Sequence, residues 1–206
     1  MDLLKLNEKF YLKTQAYFNI SRQSPWPGWQ KLLSYLQGPT LQVLDLGCGN
    51  GRFGVWLSGQ HRIDYTGLDN NQYLLDAAAK VLPAGRFVRQ DITKPWRLKN
   101  KFDLVAILGM MHHLPQPHRL PLLRRAAANL LPGGILFLSF WKFDPSKGKV
   151  LDNNDYLLPW KLGISAERYC HLYTDAEIKT LLAPLKLKLL ADFRADTSNR
   201  YLILKK

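Results

Sequence analysis

The sequence predicts an α/β fold, a largely parallel sheet with helices on both faces behind a short helical cap. Two observations lead there. From Leu41 onward, short runs of apolar residues alternate with amphipathic stretches of helical period. These runs are almost continuously apolar rather than alternating, as strands buried on both faces must be. A third observation places a ligand: the glycine-rich stretch Asp45-Leu46-Gly47-Cys48-Gly49-Asn50-Gly51 falls where the first run gives way to a helix. With 206 residues and 47% apolar side chains, the chain can bury one substantial core, so residues 1–206 read as a single domain.

Within that domain, residues 1–38 form the helical cap, with helices at 3–20 and 28–37 parted by the turn-forming Ser24-Pro25-Trp26-Pro27-Gly28. Residues 39–141 form the core. Strands are expected at 42–46, 64–68, 86–89, 102–108 and 135–140. Helices follow Gly51, span 72–82, and run from about Leu120 to Leu131, where Pro132-Gly133-Gly134 is expected to end the last. Residues 142–173 are polar, carry prolines and show no clear periodicity, and are expected to be a lid or acceptor-binding insertion. Residues 174–206 hold a helix opened by the capping box Thr174-Asp175-Ala176-Glu177 and a strand pair at 186–193 and 200–204.

The net charge of +13 favours a polyanionic partner, and its excess is spread through the folded body with no basic tail. Lys94, Arg97, Lys99, Lys101, Arg119, Arg124 and Arg125 are the expected phosphate-positioning charges. Two cysteines, Cys48 and Cys170, cannot make a disulfide framework. The opening MDLLKLNEKF lacks a signal-peptide hydrophobic region and no later run is long enough to span a membrane, so a cytoplasmic location is expected.

The glycine loop admits two ligands. Gly49, Gly51 and Gly54 fit the spacing GxGxxG, with Asp69 twenty residues beyond Gly49, as a dinucleotide site would. However, Gly47 breaks the strand two residues earlier, and Asp45 sits just ahead of it. An acid there suits the amino end of a methionine-bearing ligand and disfavours a pyrophosphate, so register and charge favour S-adenosylmethionine. Asp69 ends the second strand, where a carboxylate can take both ribose hydroxyls. Asp91-Ile92 follows the third, where a polar and a branched apolar side chain can hold adenine.

Taken in order, VLDLGCGNG, GLDN, RQDI, FDLVAILG and LLPGG resemble the class I S-adenosylmethionine-dependent methyltransferases over residues 41–141. The resemblance implies a Rossmann-like, seven-stranded, mostly parallel sheet with an antiparallel final strand. It implies a donor site of Asp45, Gly47, Cys48, Gly49, Gly51, Asp69, Asn70, Asp91, Ile92 and Leu108. Three further segments resemble the tRNA methyltransferases that esterify 5-carboxymethyluridine at the anticodon wobble position. These are Phe18 to Pro27, with its Arg22 and Pro25-Trp26-Pro27; Met110-Met111-His112-His113-Leu114; and Leu158-Pro159-Trp160 with Arg168-Tyr169-Cys170-His171-Leu172-Tyr173. Asn19, Ser21, Cys170 and Arg200 depart from that family, which has serine, threonine, an aromatic and tryptophan near those places.

That resemblance implies tRNA as partner, and often a small zinc-binding activator subunit. Arg22, His112 and His113 become the expected catalytic group. An acceptor carboxylate is already ionised and needs fixed donors rather than a general base. Trp26 and Trp160 are base platforms or packing residues, and Arg168, Tyr169, His171 and Tyr173 either line the acceptor pocket or anchor the lid. No metal site is expected, because adjacent histidines lack ligand spacing and no nearby cysteine or glutamate completes a set. The other functions left open are a methyltransferase for a small carboxylate or hydroxyl metabolite and a non-catalytic RNA-binding protein of this fold.

Overall fold

The computed structural model describes residues 1–160 and 162–206. Its helices are α1 (Leu3–Ser21), α2 (Arg52–Ser58), α3 (Gln72–Val81), α4 (Gln116–Asn129) and α5 (Asp175–Leu182). Its strands are β1 (Leu41–Leu46), β2 (Ile63–Asp69), β3 (Arg86–Arg89), β4 (Phe102–Ile107), β5 (Leu130–Trp141), β6 (Lys149–Asp152), β7 (Asp155–Trp160), β8 (Ala166–His171), β9 (Lys188–Arg194) and β10 (Asn199–Lys205).

Seven strands form the main sheet in the order β3-β2-β1-β4-β5-β10-β9, with β10 antiparallel to both of its neighbours. The direction of strand addition reverses between β1 and β4, so the carboxyl ends of these two strands flank a crevice, the place where open parallel sheets bind ligands. Both sheet faces are buried. Leu44, Leu46, Val105, Ile107, Leu136 and Leu138 pack against α4 and α5 on one side. Leu41, Val43, Leu104, Ala106, Ile135 and Phe137 meet Trp29, Leu32, Phe53 and Leu57 on the other. The period-2 alternation between these two sets explains why the strands read as continuous apolar runs.

Three expectations are corrected. The second cap helix is a 3-10 helix over Pro27–Tyr35, begun by Pro27 and pressed so close to the sheet that a Cβ on Gly28 would strike the Tyr201 ring. Pro132-Gly133-Gly134 does not stop α4, which ends at Asn129. It lies within β5, where the Gly133 N–H donates to the Lys206 carbonyl and the Lys206 N–H to that of Gly134. The segment after residue 142 is a second, three-stranded antiparallel sheet, β6-β7-β8, rather than an irregular lid. The capping box at α5 forms as expected, with the Thr174 hydroxyl accepting from the Glu177 N–H.

A buried asparagine ties the small sheet to α1. Asn7, buried on α1, accepts from the Tyr169 N–H at 2.8 Å and donates to the Tyr169 and His113 carbonyls, each at 3.1 Å. Its amide thus satisfies backbone groups of β8 that no strand partner reaches.

Candidate active site

A cavity of about 930 Å³ opens along the carboxyl ends of β1, β2, β3 and β4 and runs under α1 to β8. The sequence shapes its floor through glycine. Gly47, at φ +79°, and Gly49, at φ +54°, take conformations that L side chains avoid, and this turns the chain sharply out of β1. The Met110 side chain lies against Gly47 where a Cβ would be, and a Cβ on Gly49 would meet only Phe18, at 3.6 Å. Asp69 crosses under this loop. One of its oxygens accepts from the Gly49 N–H and the other from the Asn71 N–H, both at 2.9 Å, and burial raises its pKa. Each oxygen keeps a lone pair toward the cavity, which suits a diol. Asp91, Ile92, Asn70 and Leu108 also line the cavity. Cradle, acid and apolar clamp therefore fit S-adenosylmethionine.

Other expected donor residues lie elsewhere. Asp45 is buried below the loop and off the cavity, where it accepts the Tyr65 hydroxyl at 2.6 Å; burial pushes its carboxyl up to about 7. The Cys48 side chain turns into the core, filling the space that Gly67 leaves by having no Cβ. Gly51 serves packing: at φ +76° it caps α2, and a Cβ there would come within 2.9 Å of Ala78.

At the other end, Arg22, Trp26, His112, His113 and Arg168 line the cavity, joined by Asn7, Tyr11, Phe18, Arg52, Met110 and Trp141. Arg168 projects from β8 among the rings of Trp141, Phe10 and Trp160, with centroids 4.9, 5.4 and 5.4 Å away. Arg22, at the C-terminus of α1, sits 5.6 Å from the Trp160 ring. Burial, and secondarily the charge of Arg168, lowers its pKa. Among the described residues neither arginine has a carboxylate within 4.0 Å.

The two histidines, both cavity-lining, differ in their bonding. His113 Nδ1 faces the Tyr169 carbonyl at 3.0 Å, an acceptor only, so Nδ1 carries the proton and Nε2 accepts from the Tyr11 hydroxyl at 2.8 Å. Burial, then the nearby Arg168, lowers its pKa to about 3. His112 is lowered well below the ordinary range for the same first reason, and its buried Nδ1 has no hydrogen-bond partner. A lowered pKa makes each a weak proton acceptor, poorly suited to act as a general base.

Cys170 corrects the reasoning on metals, because it lies close: His112, His113 and Cys170 offer ligand atoms within 4.8 Å of one another. Both His113 nitrogens are already hydrogen-bonded, however, and the neighbouring charge of Arg168 opposes a cation.

Trp160, Tyr169, His171 and Tyr173 do not reach the cavity. Trp160 backs the arginines. Tyr169 and His171 bond Asp155 at 2.8 and 2.6 Å, and His171 also faces Glu177 at 3.1 Å, which fastens β8 to β7 and α5. Three of the expected phosphate contacts are engaged within the fold. Arg119 is buried against the Leu114 carbonyl and the Tyr169 hydroxyl, Arg125 holds the carbonyls of Ile92 and Thr93, and Lys101 holds that of Ala128. Lys94, Arg97, Lys99 and Arg124 are exposed.

Tyr11, Phe18, Asn7 and Trp141 were not singled out as pocket residues from sequence. The first three recur along α1 at positions 7, 11 and 18, which is helical spacing, but that pattern also describes ordinary core packing.

Residues 43–134 match the methyltransferase-domain family, and the chain has the fold of the class I S-adenosylmethionine-dependent methyltransferases. Over 159 residues it is 26% identical to the probable tRNA methyltransferase 9B of Bos taurus, covering 77% of this chain and 34% of that protein. It is 27% identical to a putative methyltransferase of Encephalitozoon cuniculi over 208 residues, covering 96% and 94% of the two chains. The solved DhpI–SAM–HEP complex superimposes with a TM-score of 0.75 at 17% identity, covering 99% and 98%. The chain thus spans about a third of the length of the bovine relative. No helix among the described residues is long and apolar enough to cross a membrane.

Proposed function

We propose that this chain transfers a methyl group from S-adenosylmethionine to an acceptor carboxylate, that of 5-carboxymethyluridine at the wobble position of a tRNA. One observation carries the reading: Arg22 and Arg168 line the cavity beyond the donor loop, ringed by aromatic side chains and without acidic partners among the described residues. Two such half-buried guanidinium groups ask for an anion.

S-adenosylmethionine, when bound, supplies a methyl already activated on sulfur. The protein's task is to bind, orient and exclude water. Arg22 and Arg168 hold the acceptor anion, and His112 lines the wall beside it. Tyr11 and the Tyr169 carbonyl fix His113 in one tautomer, so it shapes the wall. The absence of an effective base fits a carboxylate, which needs none at neutral pH. The likeness to proteins named as tRNA methyltransferases supports RNA as the carrier of that acid, and exposed Lys94, Arg97, Lys99 and Arg124 supply phosphate contacts.

Incubation with labelled donor and tRNA bearing free carboxymethyluridine tests this, with and without a small zinc-binding activator subunit. The expected result is label in a base-labile methyl ester of the wobble nucleoside. No transfer in either arrangement overturns it, and transfer only to small carboxylic acids replaces RNA with a metabolite.

A further inference from the structure

We propose that Arg52 grips the carboxylate at the amino-acid end of the donor, leaving Arg22 and Arg168 to the acceptor. This rests on the proposed use of S-adenosylmethionine. Arg52 opens α2 directly after the glycine loop and lines the same cavity as Gly47, Gly49 and Asp69. Its guanidinium carbon lies over Trp26, 4.6 Å from the ring centroid, and 5.4 Å from that of Trp29. One nitrogen donates to the Ser24 carbonyl at 2.9 Å, which fixes the group and leaves most of its five N–H donors uncommitted. Among the described residues no carboxylate lies within 4.0 Å of it. Asp45, just ahead of the loop, lies off the cavity and bonds Tyr65 instead.

The arrangement is electrostatically incomplete. Burial and the adjacent Arg22 lower the Arg52 pKa to about 10, so a fixed anion between loop and guanidinium would relieve both. Three half-buried arginines line a cavity proposed for a reaction that brings two carboxylates. Arg168 stands among Trp141 and Trp160 at the β8 end, whereas Arg52 is at the loop where the donor's amino-acid end must lie.

Calorimetric titration with two ligands separates this from a structural role. S-adenosylhomocysteine carries the carboxylate; 5′-methylthioadenosine keeps the nucleoside and lacks the amino-acid end. Arg52→Gln is expected to weaken S-adenosylhomocysteine about tenfold or more, the size of a lost charge-assisted hydrogen bond, and to leave methylthioadenosine within about twofold. Arg52→Lys should retain part of the affinity, and Arg168→Gln should change neither. Equal weakening of both ligands by Arg52→Gln, or of neither, overturns the assignment of Arg52 alone. Failure of the unaltered protein to bind S-adenosylhomocysteine overturns the donor reading with it.

Discussion

The end of the cavity proposed for the donor is shaped mainly by backbone turns, and the end proposed for the acceptor by side chains from distant elements. At the donor end, strand-to-helix turns place Gly47, Gly49, Asp69 and Asp91, each fixed by the sheet register a few residues away. At the acceptor end, Arg22, His112 and Arg168 come from the end of α1, the turn after β4 and β8, three elements widely separated along the chain. Only packing brings them together, with Asn7 as the joint. A turn-built site tolerates change around it, whereas a site assembled from three elements depends on what joins them.

The sharpest separation should come from the loop. Gly47→Val forces a β-branched side chain into φ +79° and onto Met110, and S-adenosylhomocysteine binding should weaken by about 100-fold or more, with circular dichroism showing the fold retained. Arg168→Met should leave donor affinity within about twofold and lower kcat/KM for the acceptor by about 100- to 1000-fold, in the range of lost electrostatic clamps. A matching loss of donor affinity would erase the distinction between the two ends.

Asn7→Leu takes the partner from the Tyr169 N–H and the His113 carbonyl, while the Tyr169 carbonyl keeps its bond from His113 Nδ1, and should cost about 2–3 kcal/mol in denaturant unfolding. A cost near zero would show that the small sheet holds its place without α1. The smallest effect concerns the floor. The folded pKa of Asp45, about 7, lies above its ordinary 3.8, so its contribution to stability is full below 3.8 and is lost as pH rises through 7. Asp45→Asn keeps an acceptor for the Tyr65 hydroxyl and should raise the Tm by a few degrees at pH 8, with less gain at pH 5.

The same contrast explains what could be read from sequence. The strands that flank the loop and the places of Gly47, Gly49 and Asp69 along the chain follow from local rules on glycine and buried strands, and these were legible. Asp45 was legible as an acid at the right turn but not as one buried under it, because its partner Tyr65 is on a neighbouring strand. The β6-β7-β8 sheet escaped notice because its strands are short and largely polar at their edges, so period-2 signals were weak. Arg119 and Arg125 looked like surface charge for a similar reason: nothing near them in sequence shows that Tyr169, Ile92 and Thr93 will fold against them. Charge counts cannot distinguish a guanidinium facing phosphate from one holding carbonyls.

Asn50 belongs to both halves. It sits in the glycine loop, yet its buried amide donates to the Asn19 side chain at 3.0 Å, to the Arg22 carbonyl at 3.0 Å and to the Asn19 carbonyl at 3.4 Å. The loop and the end of α1 therefore share one clasp. Lifting α1 to admit a bulky acceptor strips those bonds from the donor loop, and a donor that stiffens the loop makes the lift harder. By thermodynamic reciprocity, whatever the first ligand does to the second, the second returns. The two ends of the cavity are thereby coupled through this single amide.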